Sequence, residues 1–303
     1  MAEPDTAGLL DELNSLRKRA RIARHGYWLP SLVIGLLTLG AIPFYRPIEE
    51  SCRPGERSCT FPYRGTGFDV PGLDRVDLLR VFNTGNLFPL ASPLALGLYW
   101  VLALLVGLGV TVWWYRWRAV RAGVETATGA YVRVTLGGLV VVLGIALVGG
   151  VSTGLAGYFH FGYEGDLLAS AVFLALPVGL AILSDKEVVR TWWYRTVLVV
   201  GFVLTVLLGA VVVNKTGGLM LFAAGLLVLA WLERSPLCAA VALGYSGFTL
   251  LANVSYMGTL YYRLGWRPDS RLDTVFSAKD VLLPGAIALV GGLAALVAGR
   301  VRR

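Results

Sequence analysis

The most prominent pattern in the chain is a series of long segments that contain no Asp, Glu, Lys or Arg. These charge-free segments cover residues 26–45, 91–115, 134–163, 167–184, 196–214, 216–232, 235–262 and 281–299. A helix needs about 20 mainly apolar residues to cross the hydrocarbon core of a bilayer. A helix also pairs all of its own backbone groups, which a bilayer requires. The pattern therefore predicts an all-α fold, a polytopic transmembrane helix bundle with about eight spans.

The predicted spans form a single transmembrane helical domain over residues 27–303. They lie at about residues 27–45, 92–112, 131–153, 167–183, 196–213, 218–232, 236–254 and 281–299. The sixth and seventh spans are short, so seven is the alternative count. Two external loops are predicted, a long one of about 45 residues after span one (47–90) and a second one at 256–280. On the first loop, Leu73, Val76 and Leu79 have the spacing of a short amphipathic helix.

The segment before the first span, residues 1–26, has the pattern of a cytoplasmic amphipathic helix. Leu9, Leu13, Leu16 and Ala20 recur on one helical face. The later half is basic, and basic residues bind an anionic inner leaflet. The segment carries no cleavage pattern, so we expect the first span to remain as an anchor. A surface helix is the first interpretation, and a partner-docking helix is the second.

The charge distribution predicts which side of the membrane each loop occupies. Only 15% of the residues are charged, against roughly 25% in soluble domains. With both termini cytoplasmic, the cytoplasmic segments hold 16 Lys and Arg against 8 Asp and Glu, whereas the external segments hold 11 of each. Cytoplasmic loops of membrane proteins carry this kind of basic excess. The net charge of +8 therefore indicates a bilayer as partner and excludes a nucleic-acid patch.

The composition also resembles that of a known group of proteins. Arg outnumbers Lys by 23 to 4, and Ala, Gly, Val and Leu are abundant. The stretch LYWVLALLVGLGVTVWWYRWRAVRAGV (98–124) resembles uncharacterised polytopic integral membrane proteins of high-GC actinobacteria. This resemblance implies a bacterial plasma membrane location and carries no active site.

The tetrapeptide WWYR occurs twice, and both copies are predicted at the inner membrane interface. One copy closes span two and the other precedes span five, so the chain passes through them in opposite directions. A duplicated motif would keep its direction, whereas an anchor needs only the same depth. Aromatic rings settle at the headgroup level, so we interpret both copies as anchors: Trp113, Trp114, Tyr115, Arg116, Trp192, Trp193, Tyr194 and Arg195.

Within the spans, the strongest polar feature lies on span seven. Tyr245, Thr249 and Asn253 repeat at helical spacing, with Ser246 beside them. No Asp, Glu, Lys or Arg is predicted deep in any span, so this polar stripe is the main intramembrane candidate. Hydrogen bonding between helices is the first interpretation. Lining a substrate path is the alternative.

The same region contains GYSG (244–247), which matches the GxSG serine motif of rhomboid intramembrane proteases. That chemistry needs a histidine base on a later span. The two histidines, His25 and His160, both precede Ser246. The enzyme interpretation of this motif therefore fails.

At the outer interface, His160, Tyr163, Glu164 and Asp166 form a candidate ligand cluster. His160 and Glu164 are four residues apart, which is one helical turn. A zinc site usually needs three or four ligands, so we predict no metal and no cofactor. An aromatic interface cluster is the first interpretation, and ligand binding is the alternative.

Two further residue types predict local structure. Cys52 and Cys59 lie in the first external loop, where an oxidising exterior favours a disulfide, whereas Cys238 lies in a span and counts as a small apolar residue. Glycines in span eight predict close helix packing: Gly285, Gly292 and Gly299.

Three classes of function remain from the sequence. The first is a transport-related subunit, permease-like or accessory, that lacks a catalytic centre and depends on a membrane or cytoplasmic partner such as an ATPase or a regulator. The second is a receptor or scaffold that binds a ligand or an envelope partner through the external loops. The third is a membrane enzyme for lipid-linked substrates, with His160, Glu164 and Asp166 as its acid–base group.

Overall fold

The structure of the chain is a computed structural model. It describes residues 26–45, 68–70, 73–76, 93–121, 144, 162–184, 199–201, 203–205, 207, 216–266 and 278–301. Most of the described residues are helical. The α-helices are α1 (Trp28–Leu39), α2 (Pro93–Arg121), α3 (Gly162–Ser184), α4 (Gly217–Glu233), α5 (Pro236–Asn253), α6 (Met257–Arg263) and α7 (Lys279–Val301). A 3-10 turn, Ile42–Phe44, follows α1, and two strands, β1 (Phe68–Val70) and β2 (Leu73–Val76), form a hairpin.

Three helices are long and apolar enough to cross a membrane: Leu94–Arg121, Pro236–Asn253 and Lys279–Arg300. Three shorter apolar helices coincide with other predicted spans: Trp28–Phe44, Leu167–Leu180 and Gly217–Glu233. The helical class with membrane-length helices is therefore confirmed. The count of eight spans stays a prediction, because all of the span predicted at 131–153 except residue 144, and much of the one at 196–213, lie outside the described residues.

Helix α1 packs against α7 more extensively than any other two described elements pack together. The two helices are antiparallel, because Leu39 lies beside Gly285 whereas Leu32 lies beside Gly292. A Cβ atom at Gly292 would lie 2.8 Å from the backbone nitrogen of Leu32, and one at Gly35 would lie 2.6 Å from that of Leu289. Small residues at such positions let two helix backbones approach closely. The close packing expected of Gly285 and Gly292 is confirmed, whereas Gly299 faces open space.

Helices α2 and α4 run parallel to each other. Trp100 packs over Gly218 near the start of both helices, and Tyr115 reaches Glu233 near the end of both. A tight turn then reverses the chain into α5, with Arg234 in the left-handed conformation at φ 50°. Pro236 opens α5 at a position where its missing N–H costs nothing.

These directions bring the start of α1 and α5 and the end of α2, α4 and α7 to one end of the bundle. We call it the basic end. Among the described residues its charged side chains are five arginines and one buried glutamate: Arg116, Arg118, Arg121, Arg234, Arg300 and Glu233.

Two sequence-based predictions are wrong in detail. Leu73 and Val76 belong to β2, which pairs with β1, and do not form the predicted amphipathic helix. The sequence places Pro71 and Gly72 between the strands, and this pair is typical of tight turns. Helix α2 continues past its predicted end at residue 112 to Arg121. Arginine is a good helix former and its charge is favourable in the last turn of a helix.

The glycine contacts between α1 and α7 generate a matched prediction. Gly292→Ala should lower the free energy of unfolding by about 1–3 kcal/mol, because the added methyl overpacks the crossing. Gly299→Ala, one heptad further along the same helix, should be neutral or stabilising by up to about 1 kcal/mol, since alanine favours helix. Denaturation of the two purified variants in detergent measures this difference. Equal stability of the two variants would contradict the packing account.

Candidate functional site

The predicted polar stripe on α5 is buried. Tyr245, Ser246, Thr249 and Asn253 are each at most 9% exposed. Leu243, on another face of the same helix, is 64% exposed. The polar side chains of α5 therefore face the other helices, and an apolar face points outward.

Tyr245 connects α5 to α1. Its hydroxyl lies 3.0 Å from Oγ1 of Thr38, and both residues are completely buried. The two residues are 207 positions apart, so no local pattern in the sequence predicts this contact. Nearby on α1, the backbone carbonyl of Leu37 accepts a hydrogen bond of 2.6 Å from the hydroxyl of Tyr99. The C-terminal half of α1 is thus bonded to both α5 and α2.

Asn253 ends α5 with two further bonds between helices. Its Nδ2 donates to Oγ of Ser170 on α3 at 2.8 Å, and its Oδ1 accepts from Oγ1 of Thr216, the residue before α4, at 3.0 Å. One amide group therefore holds three helices together at the end opposite the basic end. This geometry matches the first interpretation of the stripe, hydrogen bonding between helices.

Between Tyr245 and Asn253 on α5 lie two hydroxyl groups that differ from them in hydrogen bonding. Oγ of Ser246 and Oγ1 of Thr249 are buried, and neither has a hydrogen-bond partner within the described part of the chain. A buried polar group without a partner costs roughly 1–3 kcal/mol. The stripe thus has bonded positions at its ends and unbonded hydroxyls in its middle.

The first WWYR copy at the basic end divides between two environments. Trp113 is 58% exposed and Arg116 is exposed, so these two face outward. Trp114 donates through Nε1 to the carbonyl of Gly26 at 2.7 Å, and Tyr115 lies in the bundle. The outward pair fits the predicted anchor, whereas the inward pair fastens α2 to its neighbours. The second copy lies outside the described residues: Trp192, Trp193, Tyr194 and Arg195.

A buried carboxylate, Glu233, lies behind this segment and was missed by the sequence reasoning. Glu233 is the last residue of α4 and only 7% exposed, and its Oε1 accepts a hydrogen bond from the hydroxyl of Tyr115. From sequence, Glu233 lies in the segment ERSP, which predicts a tight inner turn between the sixth and seventh spans. Its burial depends on a contact between residues 118 positions apart. Buried charges are usually paired, and Tyr115 supplies a donor for this one.

Aromatic side chains also cluster at the opposite end, in the predicted loop 256–280. The rings of Tyr261 and Trp266 meet edge to face at 4.9 Å, and Tyr262 is largely exposed. The Tyr261 hydroxyl donates to the carbonyl of Lys279 at 3.3 Å. Burial, and then the nearby charge of Asp280, raise the pKa of Tyr261 to about 12. The buried Tyr261 thus joins this segment to the start of α7, while Tyr262 presents an exposed aromatic ring and Trp266 a half-buried one.

Several predicted site residues are described only in part. His160 lies outside the described residues, and for Tyr163, Glu164 and Asp166 the structure describes only the backbone, in the first turns of α3. Cys52 and Cys59 also lie outside, so their disulfide stays a prediction. Cys238 is a free, buried thiol, as expected for a small apolar residue. Within the described ranges, no group of three or more His, Cys, Asp or Glu side chains forms a metal site.

Comparisons of the chain with protein-family models, with curated proteins and with solved structures found no match.

The stripe generates a second matched prediction. Tyr245→Phe removes only the hydroxyl that bonds Thr38, and it should destabilise the bundle by about 0.6–1.7 kcal/mol. Thr249→Val removes a buried hydroxyl that has no described partner, so stability should stay the same or rise. Midpoints of SDS-induced unfolding measure both effects. A neutral Tyr245→Phe together with a destabilising Thr249→Val would contradict this description of the stripe.

Proposed function

We propose that this chain is a multi-pass integral membrane protein of the bacterial plasma membrane, with its basic end and both termini on the cytoplasmic side. Large apolar side chains are exposed along α2 (Leu94, Leu98 and Leu102) and along α7 (Val290, Leu293 and Val297). Such stripes are unfavourable in water and favourable against lipid tails. The excess of arginine at the basic end supports the cytoplasmic assignment.

Within the membrane, we propose that the chain is an accessory subunit of a transport-related assembly. This proposal rests on the hydrogen bonds and the burial of the polar stripe. Tyr245 and Asn253 bond neighbouring helices, and all stripe residues are buried. A permease-like subunit needs such polar groups along its substrate path, whereas an accessory subunit needs a firmly joined bundle. The energy or signal then comes from a partner, such as an ATPase or a regulator.

A receptor or scaffold is the second candidate, and one observation favours it. The exposed ring of Tyr262 and the half-buried ring of Trp266 form an aromatic surface at the end opposite the basic end. Tyrosine and tryptophan are enriched where proteins bind one another. An external ligand or envelope protein is the partner that this surface fits.

The enzyme interpretation rests on His160, Glu164 and Asp166. Their side chains lie outside the described part of the structure, so this interpretation stays a sequence-based expectation.

Site-specific photo-crosslinking in living cells tests these candidates. A photoreactive residue replaces Val120 at the basic end, Tyr262 at the opposite end, or Leu102 in the middle of α2, all of which are exposed. If the chain is an accessory subunit, position 120 should form a discrete adduct with an ATPase or a regulator. If the chain is a receptor or scaffold, position 262 should form an adduct with an envelope protein. Leu102 is the control, and it should crosslink to lipid.

The accessory proposal fails if position 120 yields no protein adduct while position 262 does. Both proposals fail if neither position yields one and the purified chain transports a solute alone in vesicles.

A further inference from the structure

The last turns of α2 use only one side of the helix to pack against the bundle. On this inward side, Trp114 donates to the carbonyl of Gly26, and the guanidinium of Arg118 lies against the same glycine. Tyr115 donates to the buried carboxylate of Glu233. These contacts fasten the end of α2 to α1 and α4, and they leave the opposite side of the helix unused by the fold.

The opposite side carries an apolar strip between two arginines. Successive residues of a helix are about 100° apart, so Arg116, Val120, Trp117 and Arg121 follow one another around α2 at about 0°, 40°, 100° and 140°. Trp113 lies inside the same arc. We call these five residues the outer face of α2. Both arginines, Trp113 and Val120 are exposed, and Trp117 is half-buried.

The depth of Val120 distinguishes it from the other exposed apolar side chains of α2. Leu98 and Leu102 lie within the charge-free segment that ends at Tyr115, so lipid tails can cover them. Val120 and Arg121 follow Tyr115 by about 7.5 and 9 Å along the helix axis. With Tyr115 at the edge of the hydrocarbon core, these distances span the headgroup layer of about 5–8 Å. Lipid tails therefore do not reach Val120, although it is 69% exposed.

The rings of the outer face are held in place by one another. Trp117 stacks on Trp114 at 5.1 Å, with 20° between the ring planes, and on Trp113 at 6.3 Å. The guanidinium of Arg121 lies 3.9 Å from the ring centroid of Trp117. Stacking uses the flat side of a guanidinium and leaves its N–H donors along the edge. Tryptophan and arginine dominate the energetics of many protein interfaces, and side chains that are already fixed lose little freedom on binding.

The charge of the outer face determines the chemistry of its partner. Arg116 and Arg121 are positive on both sides of Val120, and the long side chain of Arg116 can extend its charge toward water. Among the described residues of the basic end, the carboxylate is that of Glu233, which is buried. Because like charges repel across an interface, the outer face fits an acidic surface and rejects a basic one.

We propose that the outer face of α2 binds an acidic amphipathic helix of a cytoplasmic protein. Its apolar strip would cover Val120 and Trp117, and Asp and Glu residues beside that strip would pair with Arg116 and Arg121. Amphipathic helices dock through apolar residues at this kind of helical spacing. The face is short, so the contact is a reversible one of the transient class. This inference rests on the proposed accessory role and names the surface and the chemistry of the partner.

Peptide mapping of the crosslink at position 120 tests the identity of the occupant. The adduct formed in living cells is digested, and the captured peptide is sequenced. The expected peptide belongs to another protein, has apolar residues at helical spacing and contains more Asp and Glu than Lys and Arg. A peptide from residues 1–25 of this chain, from a second copy of the chain, or from a basic segment of another protein would overturn the proposal.

Two matched arginine variants assign the contact to the outer face. Arg121→Glu should lower the yield of the adduct at position 120 by about tenfold, because the acidic partner then meets a like charge. Arg300→Glu reverses an exposed arginine in the last turn of α7 and should lower the yield by less than about twofold, since separated charges are screened. Equal losses in the two variants would show general attraction to the basic end and would refute the face.

A charge swap with purified components keeps the test valid if a variant inserts poorly in cells. The captured peptide is synthesised and titrated onto the full-length chain in phosphatidylcholine nanodiscs. Arg116→Glu, Arg121→Glu should weaken binding of this peptide by about tenfold or more. A peptide with Lys in place of its Asp and Glu should bind the reversed variant better than the wild type. Equal binding of both peptides by both proteins would refute pairing through the arginines.

The outcomes also separate this inference from the proposed function. An adduct with an ATPase or a regulator that forms in full in Arg121→Glu supports the accessory role and overturns the docking of an acidic helix on the outer face. If position 120 yields no protein adduct, the docking site is overturned, and position 262 remains the readout for the receptor candidate.

Discussion

The close approach of α1 and α7 is the interaction on which the rest of the bundle depends. Lipid tails are as apolar as leucine side chains, so burying apolar surface gives helices in a membrane no net drive to associate. Dispersion contacts and hydrogen bonds must hold them, and both need short distances. Gly35 and Gly292 allow such distances because a side chain at either would meet the partner's backbone. When α1 and α7 are in contact, they provide fixed surfaces against which the neighbouring helices pack.

Hydrogen bonds then determine how the other helices join this pair. Tyr245 bonds α5 to α1, and Asn253 bonds α5 to α3 and to the residue before α4. At the basic end, Tyr115 bonds α2 to the buried Glu233 of α4. Asn253 and Tyr115 thus form cross-links at opposite ends of the helices. This distribution explains why an apolar chain with few charges nevertheless has specific helix neighbours.

The sequence predicts the parts of this arrangement that depend on local pattern. Charge-free segments predict helices α1 to α5 and α7, and helical spacing predicts that Tyr245, Thr249 and Asn253 share a face. Glycine spacing predicts the role of Gly285 and Gly292. Each of these features can be read within one helix.

Contacts between distant residues could not be predicted in this way. Glu233 lies in a short polar segment, ERSP, which by itself indicates a tight turn, and its hydrogen bond from Tyr115 of α2 joins residues far apart in the sequence. The partner of Tyr245 likewise comes from α1, and nothing in either segment identifies it. The length of α2 has a related explanation: WWYR is predicted to close a span, whereas the helix that carries it continues to Arg121.

The proposed placement puts the basic end of a membrane-spanning bundle on the cytoplasmic side. Cysteine accessibility in intact cells tests it most directly, in a background where Cys52, Cys59 and Cys238 are replaced. Ser270→Cys and Arg57→Cys report on the two external loops, and Arg121→Cys and Arg300→Cys report on the basic end. A membrane-impermeant maleimide should label positions 57 and 270 at once, and positions 121 and 300 only after permeabilisation. Labelling of 121 and 300 in intact cells, with 57 and 270 protected, would contradict it.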